Sequence, residues 1–485
     1  MIPTGRHRRW ARLVRSALFV AALGPGAARA DAPTAFAPGA PPAPGSPEAA
    51  PCDGPESARA PDPRCGETLD GRAAPTTPLT VSRAALAVPR LGARALFWPL
   101  VAASDFAEEH KVLDWMQALL TTDDGLVGVR PQLQYSTGFV STAGLRFFDR
   151  RLPLPGSQLA ARAITGGPAA ILGEASLAGP AWLGLTLNAG WDRRRDRLFA
   201  GLGPQTDREL ESQGQGLARY GSDNAYVGLR WSRNLPAGLT VDLHTDVTWR
   251  DYSARDVRGG PSIAMLYGLG AVPCAQRGLP DDCVDPAILP RFDDGLRVLH
   301  GGAGLAFDAF AEARDGGGFR IEADVVYGAG VAGDPTRDLK VSGQIVTGVG
   351  GHDRALLLRL RAGMVESLRD GVPVPFDELV APAKALGMRG FPDGRFRGPS
   401  GGVATLEYRW FVAYNLDATL FVDAGTVAGP HFSNVRLDHV FPDFGLGLRR
   451  SYPEARYWRA SAADGLQVAW GPQAGWRLLL SVATF

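Results

Sequence analysis

Val241-Asp242-Leu243-His244-Thr245-Asp246-Val247-Thr248-Trp249-Arg250 sets Val241, Leu243, Val247 and Trp249 against Asp242, His244, Asp246, Thr248 and Arg250. In an extended chain successive side chains point to opposite faces, so this run is a strand with one apolar and one polar face. The same period recurs on both sides of it. Val127, Val129, Leu133 and Tyr135 alternate with Gly128, Arg130, Gln132 and Gln134. Ile321, Ala323, Val325 and Tyr327 do so with Arg320, Glu322 and Asp324, and Leu358, Leu360, Ala362 and Met364 with Arg359 and Arg361. From Gly125 almost to the end the period stays at 2, which gives roughly 16 strands between Leu126 and Phe485.

A soluble β-sandwich would alternate in the same way with its apolar face turned inward, so period alone does not name the solvent. The rest of the chain decides it. The strands are long enough to cross a bilayer when tilted, Trp231, Trp249, Tyr327 and Trp410 stand near strand ends, and the chain finishes on Phe485. An even number of antiparallel strands closes without an exposed edge, which lipid requires. The expected fold is all-β: a transmembrane antiparallel β-barrel whose short turns, such as Leu235-Pro236-Ala237-Gly238, alternate with long excursions at Arg255 to Arg297 and Glu366 to Gly401. Unstructured loops of that length are usually functional or disordered.

Composition excludes several classes. The 485 residues have a mean hydropathy of -0.06 and are 21% charged, too polar for a helical bundle in lipid. A formal charge of +1 leaves no electrostatic footprint for nucleic acid. Seven His and four Cys are a thin supply for a transition-metal centre, and none is expected, nor a cofactor.

Residues 1–30 read as an export signal: Arg6, His7, Arg8, Arg9, Arg12 and Arg15 are basic, Ala17 to Leu23 apolar, and Ala28-Arg29-Ala30 a small-residue cleavage site. Residues 31–95 read as a periplasmic linker, because 13 of the 38 prolines fall between Asp31 and Arg90 and such a stretch cannot bury enough apolar area to offset its ordering entropy. Residues 96–124 hold a short helical segment. Ser104 can cap it, and Val112, Leu113, Met116, Leu119 and Leu120 recur at helical spacing up to Leu120, suited to packing against a barrel end. Residues 125–485 form the barrel. In an exported chain Cys52 with Cys65, and Cys274 with Cys283, are candidate disulfides; other pairings and free thiols stay open.

The long loop carries Leu386-Gly387-Met388-Arg389-Gly390-Phe391, and the strands after it read Leu406-Glu407-Tyr408-Arg409 and Phe421-Val422-Asp423-Ala424-Gly425. Ala404, Leu406, Tyr408 and Trp410 share a face, so Glu407 and Arg409 take the other; Leu416, Ala418, Leu420 and Val422 likewise set Asp423 opposite. Both carboxylates should face the lumen. An Arg on a long loop followed by two lumen carboxylates on neighbouring strands is what is needed to fold the loop into the lumen and pin it, since a guanidinium grips a carboxylate bidentately. Gly387 and Gly390 free the backbone for the bend that presents it.

At these residues the chain resembles the outer-membrane barrel superfamily of BamA, TamA and the two-partner-secretion transporters, the bacterial surface antigen family. Met388-Arg389-Gly390-Phe391 is similar to its (V/I)RG(F/Y) loop motif, with Met for the β-branched residue, and Phe421 to Gly425 to its F-x-D-x-G strand motif. The resemblance covers 386–425 most specifically and reaches back to about Leu126 as a strand pattern. It implies a 16-stranded barrel with its sixth external loop in the lumen, Arg389 bound first to Asp423 with Glu407 nearby, and Gly387, Arg409 and Gly425 in support. It also implies insertion, translocation or export of protein or lipid at the outer membrane, partly through a weak seam between the first and last strands. Outer-membrane lipid and lipopolysaccharide would surround such a barrel, unfolded protein or lipid would be its cargo, and the general barrel-assembly machinery would insert it. The superfamily's periplasmic POTRA modules have no counterpart in Asp31 to Arg90. A passive pore or structural surface antigen is the alternative.

Other patterns point to less. Gly398-Pro399-Ser400-Gly401-Gly402 matches a hydrolase nucleophile elbow, but a strand follows where a helix is needed, and no enzymatic activity is expected. Gly328 to Gly333 matches G-x-G-x-x-G without the helix that would bind a phosphate. Arg193-Arg194-Arg195 is expected on a solvated loop face, or against lipopolysaccharide phosphates if at the outer rim. His244 and His300 are expected as lumen or turn residues. In the last strand Arg477, Leu479, Ser481 and Ala483 share a face opposite Trp476, Leu478, Leu480 and Val482, a mixed pattern that a bulge or shifted register would reconcile.

Overall fold

Sixteen antiparallel strands close on themselves. They are β1 (Val127–Ser136), β2 (Thr142–Asp149), β3 (Gln158–Thr165), β4 (Ala170–Ala178), β5 (Leu185–Phe199), β6 (Ala218–Asn234), β7 (Leu239–Ser253) and β8 (Leu296–Asp308). The second half comprises β9 (Gly316–Gly330), β10 (Arg337–Gly351), β11 (Arg354–Ser367), β12 (Ser400–Ala413), β13 (Leu416–Ala428), β14 (Phe441–Arg450), β15 (Gly465–Gly471) and β16 (Gly475–Val482). The computed structural model describes residues 109–482 apart from 153, 255–256, 279–281, 311–315, 352–353, 414–415 and 451–464, together with residues 98, 102 and 106. The export signal, the linker and the Cys52 and Cys65 pairing lie outside the described residues.

The alternation read from the sequence sorts the two faces of the sheet. Leu145, Leu243, Leu305, Ile321, Leu358, Leu406 and Phe444 are exposed outside the barrel, while Asp242, Asp246, His300, Glu407, Arg409 and Arg449 are buried within it. A water-soluble protein has the opposite arrangement. With each outward Leu or Ile worth about 1.5–3 kcal/mol when taken out of water, the outer surface calls for acyl chains, and the molecule is a transmembrane barrel. Among the described residues no helix is long and apolar enough to cross a membrane; the strands do so.

Because each strand reverses direction, the connections alternate between two ends. The excursions at residues 200–217, 254–295, 368–399 and 429–440 all leave from one end, here the loop end; 179–184 and 235–238 are tight links at the other, the turn end. The two long loops are slightly narrower than the sequence suggests, since β8 starts at Leu296, β11 runs to Ser367 and β12 starts at Ser400. Residues 254–295 carry short helices at Ile263–Tyr267 and Ala271–Gln276, and a disulfide joins Cys274 to Cys283. The helix before the barrel is observed over Val112–Leu120, here α1, and Thr121 just beyond it bridges to Gly128 of β1.

Two expectations need correction. β16 contains no bulge: its register with β15 runs unbroken from Gly465↔Ser481 to Gly471↔Gly475. Its mixed pattern arises because Arg477 is a buried lumen residue with Trp476 and Leu478 exposed outside. Arg193, Arg194 and Arg195 are not on a solvated loop but in β5, where the ladder with β6 shifts register between Arg194 and Arg197. Arg193 and Arg195 both engage Asp223, and Arg194 engages Asp196.

Among the described residues β1 pairs with β16 over Leu133↔Val482 to Ser136↔Leu479, and with β2 over Val127↔Asp149 to Gln134↔Thr142. Leu126 accepts from Arg150 on the β2 side and Thr137 donates to Leu478 on the β16 side. In an extended strand neighbouring residues turn their backbone polar groups to opposite sides, so the odd-numbered residues of β1 face β16. Pro131 is one of them, and it has no N–H to offer there.

Candidate functional site

Residues 368–399 fold from β11 into the lumen and back to β12. A single helical turn over Pro382–Leu386 ends at Gly387 in the left-handed conformation, φ +82°. A side chain at Gly387 would stand 2.5 Å from Arg361 Nη1, and Arg361 donates to the Leu386 carbonyl at 3.0 Å. Glycine thus lets the chain reverse against β11. The next residues enter the strip between β12, β13 and β14.

Arg389 closes a bidentate pair with Asp423: Nε donates to Oδ2 and Nη2 to Oδ1, each at 2.9 Å. Its Nη1 reaches Glu407 Oε2 at 3.0 Å, and its backbone N–H adds a bond to Asp423 at 3.3 Å. The guanidinium lies over the Phe421 ring, 3.4 Å from the centroid, so its plane is set on one side by carboxylates and on the other by an aromatic face. Glu407 also accepts from Arg409 and, at 3.2 Å, from Arg449.

Close packing fixes the loop around that pair. Gly390 passes Asp443 so closely that an added Cβ would stand 2.4 Å from the Asp443 Cβ, and a Cβ at Gly425 would meet Val403 at 2.9 Å and Met388 Sδ at 3.1 Å. Phe391 is buried with Met388, Phe396, Val427 and Phe441, and Phe396 stacks on Phe441 with centroids 4.5 Å apart. The loop is therefore held by charge at one point and by a dry aromatic cluster beside it.

Several residues that the motif reading passed over complete the site. Arg477 of β16 donates to the Phe391 carbonyl, to the Arg389 carbonyl at 3.2 Å and to Ser136 of β1 at 2.7 Å, tying the loop to both strands of the seam. Its inward position was legible in the strand parity. Asp443 stands directly opposite Asp423 in the β13–β14 register. It is fully buried, and neither carboxyl oxygen has a hydrogen-bond partner. The run Phe441-Pro442-Asp443-Phe444 signals that position only once its register is known.

Nearer the loop end, Arg397 donates to Asp377 at 3.1 Å and to Tyr220 Oη at 3.2 Å, and Arg395 reaches Asp207 at 2.7 Å. Phe376 of the same loop is buried with Phe199, Tyr220, Tyr267 and Phe292. Residues from two excursions and the loop ends of β5 and β6 thus form one aromatic core across that end. The Glu378 carboxyl is pushed up by burial, but Lys340 and Arg250 outweigh that and hold it well below the usual carboxylate range. A cavity of about 450 Å3 remains beside the loop, lined by Arg162, Asp192, Arg250, His300, Lys340 and Glu378 among others.

Ser400, the central residue of the elbow-like pattern, is buried at the start of β12, donates to the Gly429 carbonyl at 2.7 Å and accepts from Phe432 N–H at 3.1 Å. Those bonds fasten the neighbouring loop. His300 and His244 lie in the lumen, 3.1 Å from Asp246 and Asp242 respectively.

No protein-family model matches the chain, and no curated protein does. Among solved structures it is similar to BamA from Haemophilus ducreyi lacking POTRA domains 1–3, at 13% identity and a TM-score of 0.47 over 73% of this chain and 70% of that one. It is also similar to CdiB from Acinetobacter baumannii and from Escherichia coli, each at 13% identity and a TM-score of 0.42, over 74% and 73% of this chain and 60% and 63% of theirs.

Proposed function

We propose that this protein is an outer-membrane barrel of the BamA, TamA and two-partner-secretion kind, which inserts or passes protein or lipid at the outer membrane with its lumen plugged by residues 368–399. The bidentate Arg389–Asp423 pair, joined by Glu407, carries this reading. A barrel serving only as an open pore gains nothing from a buried charge network that holds a loop across its lumen. One serving to pass chains needs a plug that is firm at rest, which that network supplies. The loop end faces the exterior in this reading, outer-membrane lipid and lipopolysaccharide surround the apolar band, and the general assembly machinery places the barrel there. Cargo is unfolded protein or lipid, and no catalytic group is needed.

Depletion of the protein in its own host, followed by quantitation of outer-membrane proteins and surface lipids, tests the proposal. Loss of a defined set, restored by the native chain and not by Arg389→Ala, is the expected outcome. An unchanged envelope would favour the passive or structural reading.

A further inference from the structure

Arg477 of β16 is buried on the lumen face, and its charge is met there by neutral acceptors. Nη1 donates to the Arg389 and Phe391 carbonyls of the plug, and Nη2 to Ser136 Oγ of β1. A guanidinium is a rigid planar fork, so its two ends cannot be aimed separately. One side chain rooted on β16 therefore holds the plug with one prong and the first strand with the other.

The surrounding contacts belong to the same end of the barrel. Leu478 N–H donates to Thr137 Oγ1 at 2.8 Å and Thr137 N–H to the Leu478 carbonyl at 3.0 Å, so Ser136, Thr137, Arg477 and Leu478 join β1 to β16 at the loop end. The plug leans on the same hairpin. A Cβ at Gly471 of β15 would stand 3.1 Å from the Phe391 ring and 3.2 Å from the Gly390 carbonyl, and Arg395 donates to Gln473 Oε1 at 3.3 Å. Withdrawing residues 389–391 takes two carbonyls from a buried cation and leaves it one hydroxyl. Stranding a charged group costs more than stranding a neutral one, so the guanidinium does not stay where it is. It turns to water or follows the plug, and either movement takes Nη2 off Ser136.

We propose that Arg477 couples the plug to the closing seam: displacing Arg389-Gly390-Phe391 loosens the β1–β16 pairing at the loop end, and parting those strands loosens the plug. The two directions are one coupling free energy and carry the same factor. The inference deepens the proposed function, on which it rests only in that the plug must move when something passes. It gives that movement a consequence in the barrel wall, through one named side chain that both the plug and β1 bias.

Hydrogen exchange of the full chain in detergent, read by mass spectrometry over residues 133–138 and 475–482, tests it together with protease access to residues 387–401 on the same samples. Arg389→Ala should raise both seam exchange and protease access several-fold, with exchange over residues 319–326 of β9 unchanged. Arg477→Met keeps the length of the side chain and removes its donors. It should raise seam exchange by itself, and adding Arg389→Ala to it should free the plug without a further rise at the seam. A plug freed by Arg389→Ala beside a seam that exchanges as in the native chain would overturn the proposal. So would a seam response to Arg389→Ala of equal size in the Arg477→Met background, or a rise over β9 as large as that at the seam. Where Arg389→Ala yields no heat-modifiable folded band, Arg389→Lys, which keeps the charge and loses the fork, takes its place with the same outcomes. The measurement needs no cargo, so it can fail while depletion supports the proposed function, and succeed while the envelope is unchanged.

Discussion

Arg389 is worth more than its charge because it is enclosed. Removing one partner of a buried ion pair typically destabilises by about 3–5 kcal/mol, since the other is left without compensation; water in the lumen lowers that figure. Arg389→Ala and Asp423→Ala should each lower the unfolding temperature in detergent and expose residues 387–401 to protease, and the double variant should add little to either. Fully additive losses would show that the residues act separately. Asp443 should behave in the opposite sense. It faces Asp423 as a second buried carboxyl without a hydrogen-bond partner of its own, so Asp443→Asn removes the possibility of a second negative charge beside Asp423 and keeps the shape. The expected result is an unfolding temperature equal to or above the native value, against a clear fall for Asp423→Asn. How much of this was legible beforehand follows from the same residues. Glu407 and Asp423 could be placed by parity, and Arg389 by its motif. Asp443 could not, and Arg477 only as to its face, because their roles depend on which strands lie side by side and how they are staggered, which a period of 2 leaves undetermined.

β1 differs from its neighbours in having a proline where its edge meets β16. Pro131→Val restores a donor on that side and should slow amide exchange over residues 127–133; exchange identical to the native chain would mean that the edge faces no acceptor. At the loop end, the capping box of Asp207–Ser212 reaches across to another excursion. Thr206 N–H donates to Glu209 Oε2 at 2.6 Å, and Glu209 Oε1 lies 3.1 Å from His439 Nε2. The Thr206 backbone N–H and hydroxyl hold the Glu209 carboxyl below its ordinary range. Its contribution is thus complete above the ordinary carboxylate pKa and disappears as pH falls through the lower folded value. Protease access to residues 429–440 should rise on that acid limb in the native chain and be independent of pH in Glu209→Gln. Strand existence was readable from alternation almost throughout. The ends were less so: polar residues that begin a loop and lumen residues that finish a strand obey the same chemistry, which is why Arg193 to Arg195 read as a loop from sequence and are strand in the structure.

For the molecule entire, the decisive property is that the lumen is obstructed twice: by the Arg389 pair near β12 to β14, and by the aromatic core that Phe376 shares with Phe199 of β5, Tyr220 of β6 and the excursion at 254–295. Planar-bilayer recordings of the native chain should show little steady conductance. Arg389→Ala should increase it somewhat, and Arg389→Ala combined with Arg397→Ala should raise it further, because Arg397 ties the loop to Tyr220 of β6. A large steady current in the native chain, indifferent to both substitutions, would show that residues 368–399 do not block the channel. Phe376 has one further effect. It makes the plug a bolt shot into two separate keepers, so that freeing the arginine alone cannot withdraw it: whatever clears the passage must also prise an oily aromatic joint apart at the exposed rim, and a ligand gripping that rim from outside would bar the door without ever entering it.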